Sequence, residues 1–139
     1  MTVKDMINLT RTQLPPIRIR QSDSERLAQL ADAAAESAPA TADFLAGEIE
    51  RATVVPDTAP LAGVVGMDSE VVFRDDATGA QKHVTLVYPK SADIEAGRIS
   101  VLTPIGAALI GLSAGQAISF ATPSGELRSL TVMEVRQPN

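Results

Sequence analysis

A dense run of residues that break regular structure divides this chain into two halves with different hydrophobic patterns. Pro56, Pro60, Gly63 and Gly66 all fall within one short stretch, a density typical of a linker between two structural units. Helical spacing precedes the stretch, and strand-like alternation follows it. We therefore expect an N-terminal extension at residues 1–14, a helical hairpin at 15–53, a linker at 54–63 and a sheet domain at 64–139.

The first half has the pattern of two short helices. Ser22 and Glu25 have the spacing of a capping box, which predicts a helix that begins at Ser22. Thr41 is the expected N-cap of a second helix, and a brief extended segment is expected at residues 17–20. Matching apolar stripes and a four-residue connection predict a short antiparallel hairpin, a coiled coil whose arms of about 13 residues reach only ~20 Å.

The second half has the pattern of a β-sheet with one short helix. Strand-like segments at 70–74 and 83–88 flank a first turn, and those at 116–121 and 127–136 flank a second. A short strand at 99–102 precedes a helix that Pro104 begins. The predicted fold class is α+β: an N-terminal helical hairpin followed by an antiparallel sheet curled around one helix.

Composition narrows the classes of function. Twelve Lys and Arg residues oppose 17 Asp and Glu, which gives a net charge of −5, whereas proteins that bind nucleic acid by charge are usually basic. The chain has no cysteine, so disulfides, thiolate metal sites and thiol nucleophiles are excluded. It has neither the apolar run of a signal peptide nor the ~20 apolar residues of a membrane span. We expect a cytoplasmic monomer that meets nucleic acid only through a partner.

The residues that could carry catalysis have simpler structural explanations. His83, the single histidine, lies in a strand pattern without an evident partner. Asp75 and Asp76 could form a carboxylate pair, but adjacent aspartates at a hairpin turn usually bind nearby backbone amides. Residues 106–111 match the start of a phosphate-binding loop, yet Leu112 stands where its lysine belongs. By elimination, the sequence predicts a binding module without a catalytic residue or cofactor.

One long motif carries a resemblance to a known family. ISVLTPIGAALIGLSAGQAI, at residues 99–118, resembles the C-terminal signature of the bacterial Gre transcript-cleavage factors: a strand, Ser/Thr-Pro, a short helix and a Gly-x-x-x-Gly exit. With VGMDSEVVFRD at 65–75 and TLVYP at 85–89, the sequence looks most like the Rnk branch of that family, the regulators of nucleoside diphosphate kinase. The resemblance covers residues 17–135. It implies an N-terminal coiled coil and an FKBP-like C-terminal domain.

The resemblance also implies RNA polymerase as the partner. In the Gre family the C-terminal domain docks at the rim of the secondary channel of the polymerase, and the coiled coil points inward. Cleavage factors often carry aspartate where this chain has Leu102, but an apolar loop residue can also anchor an interface. By motif, the docking residues correspond here to Leu102, Thr103 and Pro104, with Met67, Asp68 and Ser69 in a neighbouring loop.

The tip of the hairpin differs from that of the cleavage factors. Their tips carry acidic residues that help to hold a catalytic magnesium ion inside the polymerase. Here the tip consists of Ser37, Ala38, Pro39 and Ala40, flanked by Glu36 and Asp43. We therefore expect a regulator that competes with cleavage factors for the polymerase without stimulating cleavage, and so affects nucleoside diphosphate kinase levels. The alternatives are an FKBP-like peptidyl-prolyl isomerase and a direct partner of that kinase.

Overall fold

The computed structural model describes residues 14–122 and 124–138, so the expected N-terminal extension, apart from Leu14, lies outside the described residues. The strands are β1 (Arg18–Arg20), β2 (Thr53–Val55), β3 (Glu70–Asp75), β4 (Gln81–Val87), β5 (Arg98–Ser100), β6 (Ala117–Ala121) and β7 (Leu127–Arg136). The helices are α1 (Gln21–Ala33), α2 (Pro39–Arg51) and α3 (Pro104–Leu109), with 3-10 turns at Pro89–Ser91 and Ile94–Ala96. Within these described ranges, no helix is both long and apolar enough to span a bilayer.

The predicted helical hairpin is confirmed, but both predicted helix starts are wrong. α1 has no side-chain cap, because the backbone amide of Ser22 donates to Asp57 Oδ1 at 3.0 Å and the predicted capping box does not form. α2 begins at Pro39, two residues before the predicted cap. Proline fits the first helical turn because it has no amide hydrogen that needs an acceptor there, and Thr41 is instead buried inside that turn.

Five strands form the main sheet in the order β5-β4-β3-β7-β6. The β3–β4 and β6–β7 pairs are antiparallel, which confirms both predicted hairpins. β5 runs parallel to β4, because the chain crosses back through the two 3-10 turns before it pairs. The sheet is therefore mostly, and not wholly, antiparallel. A bulge between Val72 and Phe73 bends β3 where it pairs with β7.

The segment expected to be a linker is partly structured. Its first residues belong to β2, which pairs in parallel with β1, with Ile19 opposite Val54. Farther along, Leu61 is buried, and the Gln137 side chain donates to the carbonyls of Leu61 and Val64 at 3.0 and 2.7 Å. The segments that precede and follow the hairpin therefore lie side by side, because the backbones of β1 and β2 supply partners to each other.

The helical hairpin shares its core with the sheet. Leu27 of α1 and Leu45 of α2 have no exposed surface and belong to the same buried cluster as Phe73 of the sheet. Phe44 of α2 stacks on Phe120 of β6, with ring centroids 5.9 Å apart and planes 13° from parallel. The hairpin therefore packs along the sheet instead of projecting away from it.

A close contact between α3 and β5 explains one glycine of the signature. A Cβ atom at Gly106 would lie 2.1 Å from the carbonyl oxygen of Ser100, far inside van der Waals contact. α3 is accordingly buried against the sheet. Residues 106–111 are all buried and serve helix packing.

A candidate protein-binding surface

The first predicted docking loop, residues 102–104, is held by short hydrogen bonds at the start of α3. The Thr103 hydroxyl donates to the Ser100 carbonyl at 2.7 Å and accepts from the Gly106 amide at 3.1 Å. The Leu102 amide donates to Ser100 Oγ at 3.0 Å. Leu102, Thr103 and Pro104 are only half-buried, so this rigid loop leaves apolar surface accessible to a partner.

The second predicted loop exposes only one of its three residues. Met67 and Ser69 are buried, and Ser69 Oγ accepts from the Gly66 amide at 3.0 Å. Asp68 is exposed and has a φ of 68°, in the left-handed region. Aspartate tolerates this region better than most side chains. Met67 and Ser69 thus position the turn, while Asp68 presents a carboxylate to solvent.

The structure brings both loops to the same end of the sheet. The amide of Leu86 donates to the Ser69 carbonyl at 3.0 Å on one side of β4, and the amide of Val101 donates to the Val87 carbonyl at 2.9 Å on the other. The loops therefore flank the C-terminal end of β4, about 10 Å apart by the usual spacing of strands. One partner surface of modest size could contact both.

The start of α2 lies beside the first docking loop. Ala40, Thr41 and Phe44 line a cavity of about 50 Å³ together with Pro104. The hairpin tip therefore borders the docking loop and does not extend beyond it as an isolated arm. Glu36 lies exposed in the turn after α1, and Asp43 lies exposed within α2.

Neither carboxylate near the tip belongs to a metal site in the described part of the chain. Across residues 14–122 and 124–138, no group of three or more His, Asp or Glu side chains is arranged to hold a metal ion. A hard cation such as magnesium prefers several carboxylate oxygens. The tip itself contributes only Ser37, Ala38, Pro39 and Ala40, which carry no carboxylate.

A polar contact that sequence reasoning missed joins α1 to the end of β4. The Tyr88 hydroxyl donates to Asp23 Oδ1 at 3.4 Å, and the Arg26 guanidinium lies 4.2 Å from the centre of the Tyr88 ring. Burial raises the pKa of Asp23 above its usual value. Burial and the neighbouring Asp23 charge raise the pKa of Tyr88 to about 12. No local pattern predicts this contact, because 65 residues separate Asp23 from Tyr88.

A second feature missed by sequence reasoning is an open cleft of about 640 Å³ on the core face of the sheet. Phe73 of β3 and Ile105 of α3 both line it. Thr103 and Pro104 of the first docking loop line one side. The cleft is thus continuous with the predicted docking surface. Its size lies within the range of protein ligand sites.

The three titratable residues considered for catalysis lie on the sheet and its first turn, and His83 has a carboxylate partner that the sequence did not indicate. His83 is exposed, with its Nε2 atom 3.4 Å from Glu70 Oε1. Asp75 Oδ1 accepts from the Ala77 amide at 2.9 Å, and this bond holds the pKa of Asp75 below its usual value. Although burial opposes it, hydrogen bonding to Arg74 and neighbouring hydroxyls likewise lowers the pKa of Asp76. The two aspartates therefore stabilise the turn and its flanks.

Comparisons with known proteins match both halves of the chain to families. Residues 60–137 match the family described as "Transcription elongation factor, GreA/GreB, C-term", and residues 15–55 match "Rnk N-terminus". The "Regulator of nucleoside diphosphate kinase" of Escherichia coli K12 is 36% identical over 121 residues, which cover 87% of this chain and 89% of that protein.

Further relatives are transcription elongation factors. GreA of Syntrophobacter fumaroxidans is 44% identical over 68 residues, or 49% of this chain and 43% of that protein. A solved "Prokaryotic transcription elongation factor GreA/GreB from Nitrosomonas europaea" superposes with a TM-score of 0.68 at 37% identity, over 88% of this chain and 99% of that one. This chain therefore belongs to the Rnk branch of the GreA/GreB family, in which an Rnk N-terminal domain precedes a GreA/GreB C-terminal domain.

Proposed function

We propose that this protein is a non-catalytic transcription regulator of the bacterial cytoplasm. It binds RNA polymerase near the secondary channel, competes there with Gre cleavage factors and does not stimulate transcript cleavage. Its effect on nucleoside diphosphate kinase levels then follows from altered transcription. Membership of the GreA/GreB family supports the choice of polymerase as the partner.

The observation that carries the proposal is the position and chemistry of the hairpin tip. A factor that assists cleavage must bring carboxylates to a metal ion inside the polymerase. Here α1 and α2 have 13 residues each, or ~20 Å at 1.5 Å per residue. Their junction has small neutral side chains, and the start of α2 lies against Pro104. Such a hairpin can obstruct the channel entrance but is poorly built to deliver metal ligands.

In this proposal, the two loops at the C-terminal end of β4 bind the polymerase. Leu102 and Pro104 supply accessible apolar surface on a backbone fixed by Thr103. Asp68 adds a carboxylate from the neighbouring loop. A rigid loop loses little conformational entropy on binding, which favours affinity.

A cleavage assay in stalled elongation complexes tests this function. We expect the purified protein alone to leave the transcript uncut, and to slow cleavage by an added GreA factor as its concentration rises. Raising the GreA concentration should restore cleavage, because the two proteins compete for one site. Stimulated cleavage by this protein alone would contradict the proposal.

A direct interaction with nucleoside diphosphate kinase is the second candidate, which the name of the E. coli relative favours. If it holds, the purified chain should capture the purified kinase in the absence of polymerase. Capture that persists without polymerase, with no competition against GreA, would favour this candidate over the first.

Prolyl isomerisation is a third candidate, because the resemblance implies an FKBP-like fold and the sheet has an apolar cleft. Among the described residues, Phe73 is the single aromatic side chain that lines this cleft. A peptide isomerisation assay with and without the protein distinguishes an isomerase from a binding site.

A further inference from the structure

We propose that the free edge of β6 pairs with the same edge of a second copy of this chain, so that two five-stranded sheets join across a two-fold axis. The edge has unpaired backbone groups, lies in a segment without charge and is complementary to itself. The inference is independent of the proposed function, and it differs from the monomer that the sequence led us to expect.

β6 has a pairing partner on one side only within the described part of the chain. The strand order β5-β4-β3-β7-β6 puts β7 on that side. The Thr122 amide donates to the Glu126 carbonyl at 2.8 Å, and the Val132 amide donates to the Gln116 carbonyl at 2.9 Å. Bonded and outward-facing residues alternate along an antiparallel pair. The even-numbered residues from 116 to 122 therefore bond to β7.

The odd-numbered residues of β6 direct their backbone groups towards the free edge. These residues are Ala117, Ser119 and Ala121, and no backbone hydrogen bond between described residues outside the β6–β7 pair uses their N–H or C=O groups. The side chains of Ala117 and Ala121 are exposed. Unpaired groups along an accessible strand form a template on which another strand can pair.

The free edge is held rigidly by residues on both faces of the sheet. On the core face, Ile118 is 1% exposed and Phe120 is 4% exposed. On the other face, Ser119 Oγ lies 3.2 Å from Ser129 Oγ of β7. Because β6 is already fixed in an extended conformation, pairing along its edge costs little conformational entropy.

The distribution of charge favours a second copy of this acidic chain as the occupant. The chain has a net charge of −5, yet residues 99–125, which include the whole of β6, contain no Asp, Glu, Lys or Arg. Exposed edge strands usually carry charged residues, especially lysine, that prevent pairing. Two copies can therefore approach along β6 without placing like charges opposite each other.

The spacing of the outward groups suits a two-fold axis at Ser119. When two β6 strands meet in antiparallel orientation with Ser119 opposite its own copy, Ala117 of each strand lies opposite Ala121 of the other. Each opposed pair then exchanges both of its N–H···O bonds, so every outward group gains a partner. A two-fold interface requires a surface that is complementary to itself in this way.

Sedimentation of the full-length protein tests for the dimer. One strand pair buries less than the ~1,200 Å² of a standard interface, so we expect a weak dimer whose population rises with concentration. The average mass should move from the monomer towards the dimer as the concentration approaches ~1 mM. A protein that stays monomeric over this range would overturn the proposal.

Amide hydrogen exchange tests whether β6 is the surface involved. In dilute solution the amides of Ala117, Ser119 and Ala121 should exchange faster than those of Ile118 and Phe120, and they should slow as the dimer forms. If the three outward amides are already protected in the dilute monomer, another part of the same chain covers the edge and the proposal is wrong.

Charge placed at the two-fold axis gives the sharpest test. Ser119→Lys and Ser119→Glu should each weaken the dimer about 5-fold, because each places like charges directly opposite each other. An equimolar mixture of the two variants should associate at least as tightly as the wild type, since a lysine then faces a glutamate.

Two controls accompany the charged variants. Ser119→Ala loses the contact with Ser129 without adding charge and should dimerise as the wild type does. Ser91→Lys and Ser91→Glu make the same changes in charge at an exposed residue outside β6 and should also dimerise normally. If the Ser119 and Ser91 variants dimerise equally well, a different surface joins the two copies and the proposal is overturned.

Discussion

At the scale of single residues, Gly106 and Asp68 fix the backbone of the two proposed docking loops. Gly106 allows α3 to approach β5 so closely that the Ser100 carbonyl occupies the space of a side chain. Asp68 adopts a left-handed backbone conformation that costs most residues free energy. The backbone conformation of each loop therefore requires a particular kind of residue: glycine at position 106, and at position 68 a residue that tolerates the left-handed region.

Gly106→Ala should lower the free energy of unfolding by about 3 kcal/mol, because the new methyl group meets rigid backbone and α3 must move. Gly47→Ala is the control: its Cβ would meet no atom within 4 Å, so it should raise the stability of α2 by about 0.5–1 kcal/mol. Urea unfolding measures both. Equal effects of the two substitutions would contradict the packing seen at Gly106.

Asp68→Asn should leave the stability of the protein nearly unchanged, because asparagine tolerates the left-handed region as well as aspartate does. Its binding to polymerase should weaken if the carboxylate makes the contact. Asp68→Ala should in addition lose about 1 kcal/mol of stability. Thermal melts and a binding titration of each variant separate the two effects. Full binding by Asp68→Asn would remove Asp68 from the proposed surface.

At the scale of elements, Arg51 connects the end of α2 to the segment that leads into β1. Arg51 donates to both carboxylate oxygens of Glu48, at 2.8 and 2.7 Å, and also to the Pro15 carbonyl. Glu48 is 3% exposed, so its charge depends on this partner. The hydrogen bond to Pro15 joins the end of the helical hairpin to the residues just before β1.

Arg51→Ala should destabilise the protein by about 2–4 kcal/mol, because it leaves a buried carboxylate without its cation. Adding Glu48→Gln should recover part of this loss, since the buried charge is then gone. Urea unfolding of the two single variants and the double variant gives the coupling energy. Additive effects would mean that the two side chains act independently.

The contact between α1 and β4 should give the protein a specific pH dependence. Burial raises the pKa of Asp23 in the folded protein, so the folded state holds this proton more tightly than the unfolded state. Ionisation of Asp23 therefore costs stability as the pH rises above its usual value of 3.8. Asp23→Asn should be more stable than the wild type at pH 7, and this advantage should shrink towards pH 3. A stability advantage of Asp23→Asn that does not change with pH would contradict a raised pKa for Asp23.

At the scale of the whole molecule, the hairpin and the sheet share one core. Leu27 and Leu45 belong to the same buried cluster as the sheet residues, and Phe44 stacks on Phe120. We expect a single cooperative unfolding transition. Tyr88 is the one tyrosine and the chain has no tryptophan, so intrinsic fluorescence reports the contact between α1 and the end of β4.

Urea unfolding followed by Tyr88 fluorescence and by far-ultraviolet circular dichroism should give coincident midpoints. Phe44→Ala should lower both midpoints together, by about 3 kcal/mol in free energy, because it removes a ring packed against the sheet. A fluorescence transition that precedes the loss of far-ultraviolet circular dichroism would show that the hairpin detaches first.

The amino-acid sequence by itself determined the elements of this protein. Apolar spacing, turn residues and prolines act over a few neighbouring positions, so the helices and the two β-hairpins could be predicted. The docking role of residues 102–104 is implied by the family resemblance and stays a prediction. The same local reasoning predicted a capping box at Ser22 that does not form, because the acceptor for the Ser22 amide is Asp57, 35 residues away. It also could not show that Met67 and Ser69 are buried while Asp68 is exposed.

Only the tertiary structure decided how these elements are arranged. The packing of the hairpin on the sheet, the buried Glu48, the contact of Tyr88 with α1 and the open cleft above Phe73 all depend on residues far apart in the chain. Burial of apolar surface favours whichever faces fit together, and no local pattern encodes that fit. For this reason the sequence predicts RNA polymerase as a partner and residues 102–104 as a docking loop. The shape and charge of the proposed binding surface emerge only from the folded chain.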